Sequence, residues 1–81
     1  SQEILLRVSK PRFEYIRTKP LHLTQRIVDE NEEYAIISID VKKNKELESQ
    51  ILSYGSAMEV LSPESFRIKI AKEIDSMLKK Y

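Results

Sequence analysis

Apolar positions in this chain switch between a spacing of two and a spacing of three or four, and each switch predicts a change of element. From Glu3 to Val8, the residues Ile4, Leu6 and Val8 alternate with Leu5 and Arg7. That pattern predicts a strand with apolar character on both faces, as a central strand has. Ser9 can cap a following helix, and Pro11 fits its first turn. Phe13 and Ile16 are expected to face inward, with Tyr15 beside them. Lys19-Pro20 should end the helix, because the proline ring drives the preceding residue out of the helical region.

The spacing then returns to two. Leu21 to Asp29 is a second expected strand, with His22, Thr24 and Arg26 alternating against Leu23, Gln25 and Ile27. Asp29 to Glu33 is too charged to be buried and predicts a turn. Tyr34 to Lys42 carries the cleanest alternation, with Ala35, Ile37, Ile39 and Val41 on one face. Its β-branched residues favour a strand, and the short turn before it predicts a hairpin. Asn44 suits the N-cap of a helix whose stripe is Leu47, Ile51 and Tyr54, with Leu52 alongside. Gly55, the one glycine, is expected as the left-handed residue closing that helix. Ala57 to Leu61 should be a short strand. Ser62 is then expected to cap a last helix, with Pro63 first in it and Glu64 favourable near the dipole.

The predicted order is β-α-β-β-α-β and a final helix. Two split β-α-β units of this kind give an α+β ferredoxin-like sandwich: a four-stranded antiparallel sheet carrying two helices on one face, here with an added C-terminal helix. That helix has a stripe of its own (Phe66, Ile70, Ile74, Met77, Leu78, Tyr81). It either packs within its own chain or docks on a neighbouring chain or domain.

Composition narrows the class. Eighty-one residues make one domain with a modest core. A 41% hydrophobic share is too high for disorder, and a net charge of +1 argues against a dedicated nucleic-acid binder. Residues 1–26 hold six basic and two acidic groups, so an anionic partner would meet the N-terminal third. The chain has no cysteine, which removes disulfides and thiolate metal sites and permits a reducing, cytoplasmic setting. No apolar run is long enough for a membrane span. The strand-like opening from Ser1 to Leu6 is what a piece of a longer protein would show.

Candidate chemistry is sparse. His22 is the single histidine, with no second histidine or cysteine for a metal and no nucleophile placed beside it. It is expected to contact a ligand or to serve as a structural polar group. Arg12, Arg17 and Lys19 with Tyr15 form either an anion-holding patch or a solvated helix face. The strand aromatics that RNA-recognition sheets stack on bases are missing. Asp29, Glu30, Glu32 and Glu33 lack calcium-loop spacing and read as a charged hairpin tip. No paired catalytic groups occur, so an enzyme is not expected, and no cofactor or metal is implied.

Two segments carry a family resemblance. Leu52-Ser53-Tyr54-Gly55, followed by Met58 to Glu64, resembles the "L-x-x-G-x-x-V-x-V-L-x-P" core of the C-terminal extension, or WCX domain, of WYL-domain transcriptional regulators. Tyr81 closes the terminal helix as in that family. Pro20-Leu21-His22-Leu23-Thr24-Gln25 is similar to the "P-L-H-x-S-Q" segment of one branch, with Thr24 in place of serine. The resemblance implies a ferredoxin-like regulatory domain of a bacterial regulator, packed against a WYL domain of the same or a neighbouring chain. It also implies a homodimer and an effector that is a small molecule or nucleotide. Neither the DNA-reading helix nor the WYL tripeptide is present, so DNA would be met only through an N-terminal domain. Arg17, Lys19, His22 and Gln25 are the positions expected to meet the effector. Phe66, Ile70, Ile74, Met77 and Tyr81 are those expected at an interface. The rival expectation is a stand-alone ferredoxin-like module that binds a small molecule.

Overall fold

The computed structural model describes residues 2–81; Ser1, the first residue of the expected opening segment, lies outside the described residues. Four strands and three helices run in the order β1 (Gln2–Ser9), α1 (Lys10–Thr18), β2 (Arg26–Glu30), β3 (Tyr34–Val41), α2 (Lys45–Leu52), β4 (Met58–Ser62) and α3 (Glu64–Leu78). A single 3-10 turn, Gly55–Ala57, joins α2 to β4. The strands form one antiparallel sheet in the order β2-β3-β1-β4, the ferredoxin-like arrangement expected from the pattern.

Register follows from the alternation. Leu6 pairs with Ile37 on one side and Val60 on the other, and Val8 pairs likewise with Ala35 and Met58. These residues, with Ile4 and Ile39, share the buried face of the sheet. Phe13 and Ile16 from α1, Leu47 and Ile51 from α2, and Phe66 and Ile70 from α3 complete the same core. Each fully buried Phe or Ile contributes roughly 1.5–3 kcal/mol over the exposed side chain. Among the described residues, the opposite face has no helix on it. There Ser38 is buried beneath Glu3, donating to its carboxylate at 2.8 Å, and Arg26 pairs with the same group at 3.2 Å.

Several boundaries differ from the expectation. Tyr15 is 54% exposed and does not join Phe13 and Ile16 in the core. The expected strand over 21–29 begins only at Arg26 and runs on through Glu30. Residues 21–25 bond among themselves instead: Gln25 Oε1 accepts from the Leu21 amide at 2.9 Å, and the Gln25 amide donates to the His22 carbonyl at 3.0 Å. Thr24 carries on the ladder by side chain, its Oγ1 accepting from the Asp40 amide at 2.9 Å. The turn shrinks accordingly, with Asn31 Oδ1 accepting from the Glu33 and Tyr34 amides.

Asn44 caps α2 as expected, its Oδ1 accepting from the Leu47 amide at 2.8 Å. Gly55 takes the expected positive φ, +60°, one residue beyond the closing position because α2 ends at a Ser53 cap. Ser62 does not cap α3. It is still paired with Leu5 in the sheet, so Pro63 becomes the N-cap and its carbonyl accepts from Phe66 and Arg67.

Candidate functional site

The four residues expected to meet an effector come from one short stretch, yet the fold gives them different surroundings. Arg17 lies at the last turn of α1, where it bonds Glu30 of β2 and also Glu14, at 3.3 Å. Lys10 joins the same Glu30 carboxylate. Hydrogen bonds from Lys10 and then Arg17 hold the Glu30 carboxyl below the usual glutamate range, and Glu30 and Glu14 raise the Arg17 guanidinium in turn. This group is thus a brace between α1 and the hairpin. Gln25 is also a brace: besides holding the Leu21 amide, its Nε2 donates to the Ile16 carbonyl at 3.4 Å.

His22 is placed differently. The Thr24 amide donates to its Nδ1 at 3.2 Å, and the Thr24 hydroxyl lies 2.8 Å from the same nitrogen. A ring nitrogen that accepts an amide proton leaves the proton of the neutral imidazole on Nε2. His22 lines a cleft of about 350 Å³ with Leu21, Val41, Lys42, Asn44 and Leu47. Its floor is apolar core surface, and its rim carries an imidazole N–H, an ammonium, the Asn44 and Gln50 amides and the Glu46 carboxylate. A cleft that sets convergent polar groups over an apolar floor suits a small polar molecule. Lys19 stands apart at the C-cap of α1, its Nζ 5.8 Å from the centre of the Tyr15 ring.

The five expected interface residues divide in two. Phe66 and Ile70 are buried in the core of their own chain. Ile74 is 50% and Met77 45% exposed, and Tyr81 lies fully in solvent beyond α3. Steps of three and four put Phe66, Ile70, Ile74 and Met77 on one helical stripe, and Tyr81 follows past its end. Its first half is seated; its second half is only half covered by the body of the domain. Arg67 secures the seated half, its Nη1 donating to the Val60 carbonyl at 2.7 Å and to Glu59 at 2.9 Å. Beside the free half, Ile51, Leu52, Gly55 and Met58 join Ile74 and Met77 in an apolar groove of about 410 Å³.

Sequence reasoning did not find the cleft walls from α2 or the pairing of Arg12 with Tyr54, whose ring centre lies 4.7 Å from the guanidinium carbon. Both join residues distant in sequence, and no local spacing signals them. Among the described residues no group of three His, Cys, Asp or Glu side chains is placed to hold a metal ion, and no helix is long and apolar enough to cross a membrane.

No curated protein matches the chain. A family model, the WCX domain, matches residues 1–78. The match spans both the loop of His22 and the seated part of α3, and WCX is a regulatory rather than an enzymatic family. By this match, and in keeping with its strand order and appended helix, the chain belongs to the WCX domain family, the C-terminal extension of WYL-domain regulators.

Proposed function

We propose that this chain is the C-terminal regulatory module of a longer bacterial WYL-type transcriptional regulator, and that the free half of α3 is its contact surface. Ile74, Met77 and Tyr81 pack against a WYL domain or against the same module of a second subunit in a homodimer. The observation that carries this reading is the continuation of one apolar stripe from buried Phe66 and Ile70 out to half-exposed Ile74 and Met77. The cleft beside His22 holds the effector, and Arg17 and Gln25 brace the helix and loop that position His22. Effector binding shifts the population of packing arrangements, and DNA affinity changes in an N-terminal head.

The test is sedimentation velocity of the full-length regulator with Ile74→Glu and Met77→Glu. Both positions are exposed, so the domain keeps its circular dichroism while subunit packing weakens. Unchanged assembly and unchanged effector response would refute the contact role. His22→Ala should abolish the thermal shift that an effector from a metabolite screen gives to the parent protein.

A further inference from the structure

Arg12 differs from the other four arginines. Arg7, Arg17, Arg26 and Arg67 each pair with a carboxylate, whereas Arg12 has no acidic partner among the described residues. Its guanidinium lies over the Tyr54 ring at 4.7 Å. Stacking on one face orients the planar fork and leaves its N–H edge and second face open.

Arg12, Tyr15, Ser53 and Tyr54 line a cleft of about 490 Å³ with no carboxylate in its wall. Lys19 does not line it but neighbours it through Tyr15, whose ring centre lies 5.8 Å from the Lys19 Nζ, and it too lacks an acidic partner among the described residues. The Ser53 hydroxyl is engaged, donating to the Gln50 carbonyl. The donors left for a ligand are therefore the guanidinium, the ammonium and two phenol hydroxyls. Two cations without a neutralising acid suit a dianion better than a carboxylate, and planar Arg binds phosphate oxygens in pairs. The remaining wall is phenol ring, which favours an aromatic group.

We propose that this cleft binds a small aromatic phosphate monoester, with the phosphate on Arg12 and Lys19 and the ring against Tyr15. The site lies away from both the His22 cleft and the free half of α3, so it stands or falls independently of the contact role. The test is titration of the 81-residue chain with phenyl phosphate, inorganic phosphate and phenol, read by calorimetry and by tyrosine emission, which no tryptophan masks. Phenyl phosphate should bind best, inorganic phosphate more weakly, and phenol not at all. R12Q should weaken phenyl phosphate by about tenfold or more, and R12K by less. Tyr15→Ala should reduce the advantage of phenyl phosphate over inorganic phosphate. R26Q, whose native partner is Glu3 on the far face of the sheet, should bind like the parent. Equal affinity in R12Q, phenol binding as tight as phenyl phosphate, or no saturable binding at millimolar concentration would overturn the proposal.

Discussion

Lys69 of α3 reaches Glu48 of α2, its Nζ 3.1 Å from Oε2 of a carboxylate whose side chain is only 8% exposed. The second cation, Lys45, stands farther off at 3.8 Å and is almost fully solvated. A buried carboxylate short of a partner is costly. Lys69→Ala should therefore destabilise the domain by about 1–2 kcal/mol, and Lys69→Arg by much less. Urea unfolding checks this. An unchanged midpoint for Lys69→Ala would show that the tie adds nothing.

Thr24 extends the sheet by a side chain. Its Oγ1 accepts from the Asp40 amide at 2.9 Å and lies 2.8 Å from His22 Nδ1. Thr24→Val keeps the shape and removes the hydroxyl, leaving a strand amide without its partner. A loss of about 1–2 kcal/mol is expected. Hydrogen exchange at Asp40 should speed up, and a ligand held by His22 should bind less tightly. Serine at this position should preserve both.

Gly55 tests backbone against packing. A Cβ built there meets nothing within 4 Å, so steric clash is absent and only the φ of +60° matters. Gly55→Ala should cost about 1 kcal/mol, and Gly55→Asn, which tolerates the left-handed region, should cost less. Thermal melts of the two variants separate these terms. Equal losses would point to something other than the backbone angle.

Acid sensitivity should come partly from Glu30 and Glu3. Lys10 and Arg17 depress the Glu30 carboxyl; Ser38 and then Arg26 depress that of Glu3. A carboxyl whose folded value lies below its unfolded one stabilises the fold above the unfolded value and loses that contribution as pH falls through the folded value. Both therefore act at neutral pH and fade below the ordinary glutamate range. Glu30→Gln should flatten the acid limb of melting temperature against pH while changing the alkaline side little. An acid limb as steep as the parent's would remove Glu30 from this role.

Where one residue type had one use, the fold was legible in the sequence. The alternation of Ile4, Leu6 and Val8 and of Ala35 to Val41 gave the sheet its buried face, and Asn44 gave a helix its start. The stretch from Leu21 to Gln25 alternates equally well, but its polar members hydrogen-bond locally and turn the chain. Period alone does not separate these outcomes, because serine-like and amide side chains compete with strand pairing. Tyr15 is aromatic, yet it lies two residues from Phe13 and one from Ile16, off the spacing those two share, and the helix turns it outward. For the sites, His22 was visible as a lone polar residue. The walls around it come from β3 and α2, and only the assembled sheet brings them together.

Helix α3 is gripped near one end, by Phe66, Arg67 and Ile70, while its far turns meet the body only through half-exposed Ile74 and Met77. From Ile70 to Leu78 the more loosely held length is about 12 Å at the usual rise per residue. A tilt of a few degrees at the pivot beside β4 would swing the far tip by on the order of 1 Å over that length. Small adjustments within the sheet or at Glu48 would thereby be magnified at the tip, as at the end of a lever.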